Sequence, residues 1–282
     1  MQLNWRPARR LLAPLLGIAT IVAFAGAVQA DQPATAVVAP VAPPASDGRP
    51  VPLLWKVSDD NNSVYLLGSF HLLKPSDYPL AQDVEAAFAD ARHVVFEVPP
   101  EELGSPETGM SMAQAGMRTD GTRLNSSLTP ETIALLEAWT TENAGQLQKM
   151  QISPEVLQMF EPWFVGLMVT VTELTKFGLD PALGLDAHFA ARAQQAGKPT
   201  AGFETAQQQI AFLDGMDQEE QLQFLQESLR TSTEGQAEIE KLHSAWRNGD
   251  ETYLWQELAV EMRRQFPKLY QRINVDRNDA WV

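Results

Sequence analysis

The sequence predicts an α+β fold in which a central sheet carries a large helical insert. Two short β-rich runs, at 53–57 and 63–67, predict strands near the start of the folded part. Apolar runs at 93–98 and 199–203 predict two more strands. Between and after them the apolar residues recur with helical spacing. Strands near one end of the chain, one returning strand and intervening helices are the pattern of an α+β domain.

The individual elements follow from local signals. The polar run 58–62 between the first two strands predicts a hairpin with a longer loop. Thr129 before Pro130 predicts the start of a helix, while 101–127, rich in Gly and Met, is expected to be a mobile loop. Asp186 is expected to cap a helix that Gly197 ends. Further helices are predicted at 80–91, 206–213, 218–230, 234–247 and 251–265, and an apolar helical stripe at Phe164, Leu167, Met168, Val171 and Leu174.

The N-terminus has the pattern of a secretory signal peptide. Three arginines without any acidic residue precede an apolar run at 11–28, which closes on Ala-Val-Gln-Ala. We therefore expect a signal peptide over 1–30, cleavage after Ala30, and a periplasmic or secreted protein with no stable membrane insertion after cleavage. An uncleaved membrane anchor is the alternative, because the run is close to the ~20 residues that span a bilayer.

Composition limits both the domain organisation and the classes of function. Residues 31–52, rich in Ala, Pro and Val, are expected to form a disordered linker without a strand, followed by one folded unit over 53–282. The chain contains no cysteine, which excludes disulfides, thiolate metal sites and cysteine nucleophiles. Its net charge of −15 disfavours binding to nucleic acid or anionic membranes.

Three candidate functional residues follow predicted strands. His71 ends the run Gly-Ser-Phe-His after the second strand, and Glu97 and Glu204 stand at the ends of the next two. They are therefore expected to meet at one edge of the sheet, where a His and carboxylate cluster suits a divalent metal that activates water. His188 is a further candidate ligand, with a packing role as its alternative. His93 and His243 are expected to be structural.

Several segments, taken in order, resemble the TraB/GumN family. The resemblance rests on 65–71 (YLLGSFH), 96–98 (FEV), 184–189 (GLDAHF), 197–205 (GKPTAGFET) with Gln209, 246–250 (WRNGD), and 276–278 (DRN) before Trp281. It implies an EreA/ChaN-like fold and a metal-dependent hydrolase, expected to be a peptidase acting on a peptide or protein, with a divalent metal as cofactor. Carried over by position, the catalytic residues would be Glu97, Glu204, Arg277 and Asn278, and the metal ligands His71, Glu97, Glu204 and His188.

The resemblance is incomplete at the C-terminus. The family pattern places a second Gly-x-x-His motif beyond the Arg-Asn pair, whereas this sequence ends at Val282. We therefore expect a TraB/GumN-like domain that lacks its C-terminal end, either as a truncated product or as a chain that has lost the activity. A non-catalytic periplasmic protein that binds peptides or proteins on the same fold is the alternative function.

Overall fold

The structure, a computed structural model, describes residues 21–25, 37–40 and 48–282. Its sheet has six strands in the order β2-β3-β4-β1-β5-β6. The strands are β1 Ile21–Ala25, β2 Val37–Pro40, β3 Leu54–Ser58, β4 Ser63–Gly68, β5 His93–Phe96 and β6 Thr200–Gly202. The pair β5 and β6 is parallel and the other neighbours are antiparallel. The predicted α+β class is thus confirmed, as is the hairpin of β3 and β4.

Two strands come from the segments before residue 48. Val37–Pro40 pairs with β3, so the expectation of no strand in the linker is wrong at this point. Ile21–Ala25, within the predicted signal peptide, lies between β4 and β5. The rest of the predicted signal peptide and the other linker residues up to 47 lie outside the described residues.

Helices make up most of the remaining structure. They are α1 Gln82–Asp90, α2 Pro106–Ala115, α3 Pro130–Glu142, α4 Ala144–Lys149, α5 Pro154–Leu157, α6 Pro162–Lys176, α7 Leu185–Ala196, α8 Ala206–Asp214, α9 Gln218–Glu234, α10 Gln236–Arg247, α11 Glu251–Leu254, α12 Met262–Gln265, α13 Pro267–Tyr270 and α14 Arg277–Trp281. Two π-helical segments, Trp255–Glu261 and Gln271–Asp276, join the last of them. Short 3-10 turns occupy Pro75–Asp77, Leu124–Ser127 and Pro181–Leu183. Among the described residues, no helix combines the length and the apolar character needed to cross a bilayer.

Local signals account for several helix ends. Thr129 caps α3 as predicted, since its side chain accepts a hydrogen bond from the Thr132 N–H. Gly197 ends α7 in the left-handed conformation, also as predicted. The expectation of a mobile loop at 101–127 is wrong, because this segment contains helix α2, which Ser105 caps.

Helix α6 connects two apolar cores. Trp163 and Leu174 belong to the core that lies against the sheet, whereas Val165 and Val169 belong to a second core among the helices. The buried surface of α6 is therefore wider than the predicted apolar stripe. Val171, which belongs to that stripe, is exposed. Burial on two faces joins the helical insert to the sheet that positions the candidate site.

Candidate functional site

The parallel pair of β5 and β6 places two glutamates side by side. Beyond the last paired residues of the strands, the Phe203 N–H donates to the Phe96 carbonyl at 2.9 Å. The Glu204 N–H donates to the Glu97 carbonyl at 2.8 Å. Both carboxylates are buried, with only 3% of Glu97 and 6% of Glu204 exposed. The strand-end argument thus predicted the meeting of Glu97 and Glu204 correctly.

Arg277, from α14, lies between these carboxylates. Its Nη2 is 2.7 Å from Glu97 Oε2, and its Nε is 3.0 Å from Glu204 Oε1. Gln209, from α8, donates to the same two oxygens at 3.0 and 3.3 Å. Trp281 Nε1 donates to Glu204 Oε2 at 3.3 Å, and the Arg277 guanidinium lies 4.7 Å from the Trp281 ring centroid. We call these five residues the carboxylate cluster.

The charges of the cluster do not balance when all its groups are ionised. Two carboxylates face one guanidinium, so one surplus negative charge would be buried. Burial raises the pKa of Glu97 to about 7, although the charges of Arg277 and His71 lower it. Glu97 Oε1 is buried and has no hydrogen-bond partner among the described residues. Glu97 therefore changes protonation near neutral pH.

His71 forms a second part of the site with Asp186. Its Nδ1 lies 2.7 Å from Asp186 Oδ2, and Ser69 Oγ donates to that oxygen at 2.8 Å. Burial alone would raise the pKa of Asp186, but the charge of His71 and the hydrogen bonds from His71 and Ser69 bring it below the ordinary value. An ionised Asp186 accepts the Nδ1 proton of His71, which fixes the ring tautomer and orientation.

A close backbone contact brings these residues together. The Leu185 N–H donates to the Phe70 carbonyl at 3.0 Å, which joins the start of α7 to the loop after β4. A Cβ at Gly184 would lie 2.0 Å from the His71 carbonyl oxygen, so a side chain there would push the two segments apart. Gly184 thus allows Asp186 to reach His71. The expectation that Asp186 is a helix cap is wrong, because Gly184 occupies the cap position.

The His71–Asp186 pair and the carboxylate cluster act as one electrostatic unit. The charge of His71 lowers the pKa of Glu97, and the charge of Asp186 raises it. About a third of the His71 side chain is exposed, whereas Glu97 and Arg277 are buried. The His71 imidazole is therefore accessible to solvent, whereas the carboxylate cluster, whose charges interact with it, is buried.

Comparison with known proteins identifies the family of the chain. A family model described as the TraB/PrgY/gumN family matches residues 53–282. The chain belongs to the TraB/PrgY/gumN family. No curated protein and no solved structure matches it. The matched span contains every residue of the site described above.

Two residues suggested by the family resemblance do not join the site. His188 lies two positions after Asp186, on the other side of α7. Its ring stacks on Tyr78 with centroids 4.4 Å apart, and its pKa is lowered by burial and by Arg192. Asn278 is exposed on α14 and makes none of the hydrogen bonds of the carboxylate cluster.

Sequence reasoning missed Ser69 and Asp186 as site residues in this TraB/PrgY/gumN-family protein. Ser69 stands inside the Gly-Ser-Phe-His run, and Asp186 inside the segment that carries the family resemblance. In the sequence Asp186 has the pattern of a local helix cap, and its partner His71 is 115 positions away. Its position beside His188 in that segment was the signal that could have identified it.

A buried polar contact supports the His71 loop from behind. His243 Nε2 lies 2.8 Å from Asp77 Oδ2, and both residues are buried. Phe70 packs against the His243 ring, with centroids 6.0 Å apart. Trp246 Nε1 donates to the Gly68 carbonyl at 3.1 Å, which fixes the start of the loop. These contacts give His243 a structural role.

The described residues do not assemble a complete metal site. No group of three His, Asp or Glu side chains among them is arranged to hold a metal ion. His71 and the unpartnered Glu97 Oε1 are donors of suitable kinds, but Arg277 already pairs with both glutamates. The arrangement supplies donors without the full ligand set that a protein-bound divalent metal ordinarily has.

Proposed function

We propose that this TraB/PrgY/gumN-family protein is an exported hydrolase of peptide bonds on an EreA/ChaN-like fold. The observation that carries the proposal is the meeting of an oriented histidine, His71 with Asp186, and a buried carboxyl group, Glu97, whose pKa is raised to about 7. A histidine and a protonatable carboxyl group that lie together at strand ends suit general acid and base catalysis.

Each residue has a role that follows from its surroundings. Asp186 holds His71 as the tautomer whose Nε2 accepts a proton from the attacking water. Glu97, protonated over part of the neutral range, donates a proton to the departing amine. Arg277 stabilises negative charge that develops beside it, and Glu204 holds the guanidinium in place. No role is assigned to His188 or Asn278.

A divalent metal is a separate part of the proposal. When bound at His71, such an ion would lower the pKa of a coordinated water and supply hydroxide. Because Asp186 pairs with His71 Nδ1, the ion would take the Nε2 lone pair and replace the general-base role of His71. The roles of the other residues do not depend on the ion. Titration calorimetry of the intact chain with Zn²⁺ or Mn²⁺ tests this part, and absence of binding to the wild-type protein would refute it.

His71→Ala is expected to reduce peptide hydrolysis by about a hundredfold or more, the usual contribution of a general base. Asp186→Asn should reduce it as well, because the neutral amide no longer stabilises a charged His71 and its NH2 group can donate to Nδ1, which favours the other tautomer. The measurement is release of new amino groups from a defined mixture of unstructured peptides, with and without added metal.

The matched control is His93→Ala, since His93 is exposed at the start of β5. Its hydrolysis rate should equal that of the wild type. Equal rates for His71→Ala and the wild type would overturn the proposed role of His71, and absence of hydrolysis by the wild-type chain would overturn the proposed activity.

The alternative function is non-catalytic binding of a peptide or protein. One observation favours it: Arg277 contacts both glutamates, so the cluster can serve as a rigid support without reacting. In that case the chain binds a partner without turnover or metal, and His71→Ala leaves the affinity unchanged. The net charge of −15 supports peptide or protein partners over nucleic acid under either function.

Export is proposed from the sequence pattern at the N-terminus. The expected mature protein begins at Asp31, after cleavage following Ala30. Such cleavage would also remove Ile21–Ala25, the segment that lies between β4 and β5. Mass spectrometry of the N-terminal peptide from the cell envelope measures this directly, and recovery of an uncleaved N-terminus would refute the cleavage.

A further inference from the structure

A cavity of about 380 Å³ opens beside Glu204. Its apolar lining includes Phe203, Phe212 and Trp281, and its basic lining residue is Arg272. We call this cavity the aromatic pocket. Because Glu204 and Trp281 also belong to the carboxylate cluster, a molecule in the pocket lies directly against the candidate site.

The aromatic wall of the pocket is partly uncovered. Phe203 and Trp281 stack with ring centroids 5.3 Å apart and an interplanar angle of 19°. Phe203 is nevertheless 38% exposed, which is unusual for a large apolar ring directly after a strand. A third aromatic ring or a bulky aliphatic group placed here would be buried against both rings.

Arg272 supplies a positive charge at the same cavity. Its Nη2 is 3.3 Å from Glu220 Oε2, an oxygen that already accepts the Asp217 N–H at 2.7 Å. Arg272 Nε has no hydrogen-bond partner among the described residues, and about a third of the side chain is exposed. A guanidinium has five N–H donors; Nε of Arg272 is buried and Nη2 pairs with Glu220, which leaves other Nη donors for a carboxylate.

The other charged side chain of the pocket does not oppose an anion there. Glu204 is engaged by Arg277, Gln209 and Trp281 on the side of the carboxylate cluster. Glu220, which pairs with Arg272, is buried, so an incoming carboxylate meets the exposed part of the Arg272 side chain together with an apolar wall. This combination of a flat apolar surface and one cation selects a ligand that carries both features.

We propose that the aromatic pocket binds the C-terminal residue of a peptide, with an aromatic or bulky apolar side chain against Phe203 and its α-carboxylate on Arg272. The inference rests on the proposed hydrolase function, for which it names the substrate class. The peptide bond before that residue then lies beside Glu204 and Arg277. Addition of one water across this bond gives a new carboxylate on the shortened peptide and a free amine on the released amino acid.

The experiment measures binding of N-acetyl-L-phenylalanine to the full chain by titration calorimetry. Two matched probes accompany it: N-acetyl-L-phenylalanine amide, which lacks the carboxylate, and N-acetyl-L-alanine, which lacks the ring. The acid with the ring is expected to bind about tenfold more tightly than either control. Equal affinity for all three probes, or absence of binding, would overturn the proposal.

Three variants assign the contributions to residues. Phe203→Ala should weaken binding of the aromatic probe by about tenfold without a change in folding, because the ring is already partly exposed. Arg272→Gln should abolish the preference for the acid over the amide, and Arg272→Lys should restore part of it. If Arg272→Gln does not fold, Phe203→Ala and the three probes still test whether the aromatic pocket binds the aromatic acid. Unchanged affinity in Phe203→Ala contradicts the proposed pocket.

The same data separate the pocket from the activity. Selective binding without hydrolysis by the wild-type chain supports the aromatic pocket and overturns the proposed hydrolase. Hydrolysis of peptides that is indifferent to their C-terminal residue, together with no binding of N-acetyl-L-phenylalanine, supports the hydrolase and overturns the pocket.

Discussion

Arg277→Met is expected to destabilise the protein by about 3–5 kcal/mol, the usual effect of removing one partner from a buried ionic group. The substitution leaves Glu97 and Glu204 buried next to each other without their guanidinium. It also removes the contact of Arg277 with the Trp281 ring. Urea unfolding followed by circular dichroism at neutral pH measures the loss in the free energy of unfolding.

Arg264→Met is the matched control for this prediction. Arg264 also pairs with a glutamate, Glu261, but its side chain is 60% exposed and the pair lies within one helical turn. Exposed pairs contribute about 0–1 kcal/mol, so the control should stay close to the wild type. A similar small effect in both variants would mean that the carboxylate cluster is solvated, contrary to the structure.

A triple variant tests whether the loss comes from charge. Replacing Glu97 and Glu204 by Gln together with Arg277→Met removes all three charges while keeping similar side-chain volumes. Neutral replacements of buried ionic groups are often tolerated, so the triple variant should recover most of the stability that Arg277→Met loses. If it does not, the packing of Arg277 against Trp281 matters more than its charge.

Much of the fold was predictable because its signals are local. The hairpin of β3 and β4 follows from alternation and a polar turn, and Thr129 with Pro130 fixes the start of α3. The same kind of signal, Ser105 with Pro106, was present at α2. The Gly and Met content of that segment nevertheless predicts a loop, which the structure does not have there. The two-sided burial of α6 depends on tertiary packing, which a stripe on one helix does not show.

The site residues also divide into those that local sequence signals predict and those that depend on tertiary contacts. Glu97 and Glu204 were predictable together, because each directly follows a strand and parallel strands bring their ends to one edge. Arg277 was supplied by the family resemblance and not by any local pattern. Asp186 depends on a contact with His71 that Gly184 permits, and no periodicity in the sequence contains that information. His188 looked equally suitable in the sequence, but the helix turns it away from His71.

Glu97→Gln is expected to change how stability depends on pH, because it removes a group whose pKa differs between the folded and unfolded states. In the folded protein this pKa is raised to about 7, against an ordinary value of 4.5. Between these two values the folded state keeps the proton and the unfolded state loses it. Stability from this group is therefore complete below pH 4.5 and is lost as pH rises to about 7.

The size of the effect follows from the shift. A difference of this size corresponds to about 3 kcal/mol of unfolding free energy at pH 8 relative to acid. Glutamine does not titrate, so the variant should gain about that amount relative to the wild type between acid and alkaline conditions. Urea unfolding of both proteins at a series of pH values gives the difference, in which the other titrating groups largely cancel.

Glu240→Gln is the control, since Glu240 is exposed on α10. The unfolding free energy of this variant should change with pH in parallel with that of the wild type. The sign of the Glu97→Gln result decides between two physical effects at the carboxylate cluster. A relative gain with rising pH means that burial of Glu97 outweighs the attraction of Arg277, so that a proton is held between two carboxylates and one guanidinium near neutral pH. A relative loss with rising pH means that Arg277 dominates and Glu97 stays ionised, which would remove the proton donor from the proposed mechanism and leave Glu97 as a structural partner of Arg277.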